Sequence, residues 1–301
     1  MRANAPSRRY RVTHHTTYSY DDEVTDSYGM VCTRPRDLPG QEVTEYELWT
    51  DPGHADLGTH RDVEGNEFTY FHVTEPHEQL RVSAVSVVAV STPSRDSGAE
   101  GQPWEQCRPA FLGAAQAALL GEYALGSPLV DVLEEARAYA GSSFPPGRGI
   151  GAGVLELAHR IHADFEYQPG TTTVTTRVAD VLRNRRGVCQ DFAHLMLACL
   201  RSLGLAARYV SGYLATDPAS GQSRVVGADA THAWLEVWLP APGGGEGIWL
   251  PVDPTNDCVV TDRHVTVAYG RDYGDVPPVK GVIFTDATKS TMTVSVDVAP
   301  I

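Results

Sequence analysis

The chain has 301 residues, 42% of them apolar and 21% charged, a balance that excludes a disordered protein and allows one large domain or two ordinary ones. A formal net charge of -14 speaks against a polyanion as main partner, because phosphate binding needs a positive surface, so no nucleic-acid partner is expected. No stretch approaches the length of a membrane span, and Arg2, Arg8 and Arg9 precede no apolar run, so the expectation is a cytoplasmic protein without a membrane partner.

Residues 1 to 95 read as an N-terminal β-rich domain. Tyr10 to Tyr20 alternates and is rich in Thr and Tyr, and further short alternating runs cover Glu42 to Trp49, Glu67 to Val73 and Leu80 to Val90. Pro39-Gly40, Asp51-Pro52-Gly53 and Glu64-Gly65-Asn66 are the turn signals between them. Residues 96 to 149 read as a linker and helical segment. Ser91 to Gln102 has linker composition, and a helix is expected over Leu129 to Tyr139.

Residues 150 to 262 carry the chemistry. Val154, Ala158, Ile161 and Phe165 form one helical stripe, and a shorter helix is expected over Arg177 to Asn184. Arg185-Arg186-Gly187 reads as polar and flexible. Beyond it, Phe192, Met196, Leu200 and Leu203 fall on one helical face that stops at Gly204. Cys189 therefore sits at the first turn of a buried helix, where unpaired N–H groups and the helix dipole favour a thiolate and can hold an oxyanion. Cys199, deep in the same helix, is the contrasting inert thiol. The five cysteines show no close spacing of a zinc or redox motif.

A reactive thiol needs a base. Thr231 to Leu239 and Gly247 to Asp253 alternate strictly and flank a Pro- and Gly-rich loop, which is a hairpin signal. Setting Ala233, Leu235 and Val237 across from Val252, Leu250 and Ile248 buries one apolar face. That register puts Asp253 directly opposite His232, about 5 Å away at Cβ, so the carboxylate can orient the imidazole. Residues 263 to 301 read as C-terminal strands closing the fold.

Three separated motifs resemble the bacterial transglutaminase-like superfamily: Gly187-Val188-Cys189-Gln190-Asp191-Phe192-Ala193-His194, Asp229-Ala230-Thr231-His232-Ala233-Trp234 and Asp253-Pro254-Thr255-Asn256. Tyr10 to Tyr20, Pro35-Arg36, Gly65-Asn66 and Pro76-His77 resemble the N-terminal region that accompanies this core in bacteria. The resemblance implies an α+β fold: a papain-like core, with the cysteine-bearing helix packed on an antiparallel sheet, preceded by a small N-terminal β domain. It also implies a Cys189-His232-Asp253 triad acting on a protein or peptide amide through a thioester, with no cofactor. Hydrolysis, as in a protease or amidase, is the leading expectation. A transamidase and an inactive protein-binding module are the alternatives. Asp191 reads as a structural residue at the helix start, and Tyr167, Gln190 and Trp234 are the candidates for lining the acyl site. No loop carries the spaced carboxylates of a calcium site, and the paired CxxC motifs of peptide N-glycanases are missing, so no metal is expected.

Overall fold

The computed structural model describes residues 7–216, 231–243 and 247–301. Alternation in the first segment builds five strands: β1 (Ser7–Val31), β2 (Gln41–Asp51), β3 (Asp56–Arg61), β4 (Glu67–Val73) and β5 (His77–Ser91). β1 is 25 residues long, far longer than its Thr- and Tyr-rich start suggests. β3 carries no alternation signal, because all but one of its residues are exposed.

Helices follow, with short strands between them: α1 (Ser97–Glu100), α2 (Ala114–Leu120), α3 (Glu134–Gly141), α4 (Ile150–Asp164), β6 (Glu166–Tyr167), α5 (Val178–Asn184), β7 (Arg186–Gly187) and α6 (Cys189–Ser202). The linker composition of Ser91 to Gln102 conceals α1, whose N-terminus is capped by the Asp96 carboxylate accepting from the Gly98 and Ala99 N–H groups. The helix expected over Leu129 to Tyr139 starts only at Glu134. Ahead of it, Leu129 N–H is held by the Asp272 carboxylate at 2.8 Å. Arg186 and Gly187 are not flexible: they pair in parallel with Glu166 and Tyr167. Among the described residues, no helix is long and apolar enough to cross a membrane.

The second sheet contains β8 (Ala207–Leu214), β9 (Thr231–Leu239), β10 (Ile248–Asp253), β11 (Cys258–Val259) and β12 (His264–Gly270), in the order β11-β10-β9-β8-β12. Phe192, Met196 and Leu200 of α6 share a buried core with Leu235, Val237, Leu250 and Val252, so the cysteine-bearing helix lies on the apolar face of this antiparallel sheet. Inside the core, buried Arg201 donates to the carbonyls of Tyr123, Ala207 and Arg271, which ties down the C-terminal turn of α6.

Residues 263 to 301 do not close one sheet as a unit. β12 joins the second sheet, whereas β13 (Val279–Thr285) and β14 (Ser290–Pro300) run antiparallel to β1 in the first. The two sheets are also joined by side-chain amides. Gln41 exchanges two hydrogen bonds with the backbone of Thr266, and Asn66 exchanges two with the backbone of Tyr269. Both amides are buried, so they satisfy backbone groups of β12 that water cannot reach.

Candidate active site

Cys189 opens α6 behind a constrained entry. The N-cap residue is Val188, which has no side-chain oxygen and makes no capping bond. The reverse half of a capping box is present: the Asp191 carboxylate accepts from Val188 N–H at 2.8 Å and from the Thr172 hydroxyl at 2.7 Å. This is the structural role expected of Asp191. Gly187 is required there, since a Cβ on it would lie 2.8 Å from the Asp191 Cβ. Cys189 remains half-buried, whereas Cys199 is fully enclosed and burial pushes its thiol up to about 12.

His232 reaches the same place from the start of β9. Its Nε2–H donates to the Asp253 Oδ2 at 2.7 Å, and its side chain is only 9% exposed. Burial opposes charge on the ring, but hydrogen bonds to Asp253 and Cys189 outweigh it and raise the imidazole's pKa. With Nε2 committed to the carboxylate, Nδ1 is the nitrogen left to face the thiol. Burial would raise the Asp253 pKa, but the hydrogen bonds it accepts hold it well below the usual carboxylate range.

The hairpin register differs from the expected one by two residues. Val252 pairs with Leu235, Leu250 with Val237 and Ile248 with Leu239. A two-residue shift leaves every side chain on its own face and brings Leu239 into the apolar row. Asp253 then falls diagonal to His232 instead of opposite it, still within reach of a long side chain. Asp229 and Ala230, the start of the second motif, lie outside the described residues.

Two partners of Asp253 went unassigned in the sequence. Asn256 Nδ2 donates to Oδ2 at 2.6 Å, while the N–H groups of Thr255 and Asn256 donate to Oδ1. His264, at the start of β12, also faces Oδ2, at 3.3 Å, and is 4% exposed. Its Nδ1 faces the N–H of Thr261, so Nε2 carries the proton and donates. The Asn256 signal was present in the third motif. That of His264 was not, because only long-range pairing of β12 with β8 brings it here. His232, Asp253 and His264 have donor atoms within 4.8 Å of one another, close enough for a metal. Both carboxylate oxygens and the His264 ring are already committed to hydrogen bonds.

A cavity of about 320 Å³ opens over Cys189. Tyr167 and Gln190 are among the residues that line it, and Gln190 is steadied by donating to the Val174 carbonyl. Trp234 does not line it. Its ring is fully buried against His264, 5.2 Å between centroids, and sits where only a glycine at position 212 leaves room. Tyr209 takes a place at the cavity instead, next to Cys189.

Residues 10–89 match the model of the bacterial transglutaminase-like N-terminal region, and residues 147–254 match that of the transglutaminase-like superfamily. An uncharacterised protein of Mycobacterium tuberculosis (strain ATCC 25618 / H37Rv) is 49% identical over 98% of this chain and 93% of its own length. The chain belongs to the transglutaminase-like superfamily. An uncharacterised Mycobacterium leprae protein is 32% identical over 91% of the chain and 92% of its own. A Pseudomonas aeruginosa protein-glutamine gamma-glutamyltransferase is 42% identical, over only 24% of this chain and 10% of that protein. A solved Cytophaga hutchinsonii structure, described as a candidate cysteine protease, shares the superfamily fold. Its TM-score is 0.72 at 20% identity, over 97% of this chain and 91% of that one. The superfamily membership makes this a chain from a family of cysteine-dependent enzymes.

Proposed function

We propose that the chain is a cysteine-dependent acyl-transfer enzyme that opens amide bonds, with Cys189 as nucleophile, His232 as base and Asp253 as the group orienting that base. The observation that carries this is the His232 ring, fixed by Asp253 at 2.7 Å and lining the same cavity as Cys189, whose presence helps raise the imidazole's pKa. The charged imidazole favours a thiolate beside it.

In the first half-reaction the thiolate attacks the amide carbonyl carbon, forming a C–S bond and an oxyanion. Val188 supplies no capping side chain, so the first-turn N–H groups of α6 remain to hold that oxyanion. His232 gives its Nδ1 proton to the leaving nitrogen as the C–N bond breaks, and a thioester remains. In the second, water gives a proton to His232 and attacks the thioester. Breaking the C–S bond releases the acid and restores the thiolate.

Hydrolysis is the preferred outcome because Cys189 is not fully buried and Tyr167, at the cavity, is 52% exposed, so water has access to the thioester. The name of the short Pseudomonas match favours transamidation as the second reading. A peptide-amide panel assayed with and without a millimolar amine separates them. Cys189→Ala should lose about 10³-fold or more in turnover with its Tm unchanged, and Asp253→Ala should lose less. Turnover that survives Cys189→Ala would refute the assignment. An amine adduct outcompeting the free acid would favour the transamidase.

A further inference from the structure

The cavity over Cys189 has two walls, drawn from distant parts of the sequence. Cys189, Tyr167, Val174 and Tyr209 belong to the core that carries the cysteine; Thr16, Met292 and Val294 belong to the N-terminal sheet. Strand parity builds the second wall. The pairs Val12↔Val298, His14↔Val296, Thr16↔Val294 and Tyr18↔Met292 put these side chains on one face of β1 and β14. Val12, Val296 and Val298 are buried at one end of that face. At the other end Val294 and Met292 are 46% and 58% exposed, and both line the cavity.

Tyr167 and Val174, on the core side, are half-exposed as well. Single exposed apolar side chains are ordinary on a surface, but four gathered around one opening mark a recognition site. The charge pattern agrees. Among the described residues no carboxylate, lysine or arginine lines the cavity, and His14, which lines it with His232, is kept neutral by burial, which pushes it down to about 4. A charged side chain seated on the Met292 and Val294 wall would lose its water and meet no charged group among the described residues of that wall.

We infer that the site takes a peptide whose residue next to the reacting amide is large, apolar and uncharged, seated against Met292 and Val294, so that the N-terminal sheet sets specificity. This rests on the assignment of Cys189 as the nucleophile.

The test compares labelling of Cys189 by acetyl-Ala-Leu chloromethyl ketone, acetyl-Ala-Glu chloromethyl ketone and iodoacetamide, the last too small to need the wall. The native chain should react with the leucyl probe at least about tenfold faster than with the glutamyl probe. Met292→Lys combined with Val294→Lys should erase or invert that preference, each peptide rate being taken relative to the iodoacetamide rate of the same chain. Both side chains are half-exposed on an outer strand, so the variant should fold, which its Tm checks. An equal rate for the two peptide probes on the native chain, or an unchanged preference in the variant, overturns the specificity wall while the iodoacetamide result stands. Iodoacetamide failing to select Cys189 would sink the nucleophile assignment, and this inference with it.

Discussion

Asp253 is the most constrained side chain of the site: its two oxygens accept from His232, His264, Asn256 Nδ2 and the N–H groups of Thr255 and Asn256. A carboxylate held this way cannot rotate, so the imidazole it orients has one position. Two other histidines are the opposite case, buried with no charged partner at hydrogen-bond distance among the described residues. His14 lies between the Tyr213 and Thr16 hydroxyls, and His194 accepts from Tyr273 N–H; burial pushes each down to about 4. In the unfolded chain they take up protons near pH 6.5, while in the folded chain they stay neutral. Stability is therefore full above pH 6.5 and falls as the pH drops towards 4, by about 3 kcal/mol for each histidine. His14→Gln should flatten the decline of Tm between pH 6.5 and 4; a decline as steep as in the native chain would show that His14 does not drive it. Neither burial was legible in the sequence, where a histidine in an alternating strand such as His14 fits the surface and the core equally. Cys189 and His232 could be singled out because their helix start and hairpin are local signals.

At the scale of the element, the N-terminus of α6 is set by a valine N-cap, a buried glycine and an aspartate that reaches back. Gly187→Ala would drive a Cβ into Asp191, and overpacking of this kind costs about 1–3 kcal/mol. The expected result is a Tm lower by several degrees and slower alkylation of Cys189, because the bond from Val188 N–H to Asp191 is disturbed. Unchanged Tm and alkylation would mean that the entry to the helix has slack. The helix itself was legible from Phe192, Met196, Leu200 and Leu203, since the amphipathic period is a strong local signal. The hairpin was legible in its faces but not in its register: Ala233, Leu235, Val237 and Leu239 are all apolar, so a shift by two residues conserves the pattern that the sequence encodes.

Across the whole molecule, the first and last strands belong to one sheet, and that sheet is fastened to the core by Gln41 and Asn66 on the backbone of β12. β12 begins at His264, so the fastening runs directly to the strand that supports Asp253. The N-terminal β region is thereby part of the site's architecture. Composition and alternation could place it as a β domain, but its pairing with residues 279 to 300 is non-local and leaves no periodic trace. What the architecture delivers is a thiol at a helix start and an imidazole lining the same cavity. Alkylation by iodoacetamide at pH 6, mapped by mass spectrometry, tests this against an internal control, because Cys258 is half-buried like Cys189 while burial pushes its thiol up to about 11. Cys189 should react at least about 100-fold faster than Cys258, and His232→Ala should remove that advantage. Equal rates at the two cysteines, or an advantage that persists in His232→Ala, would contradict the account.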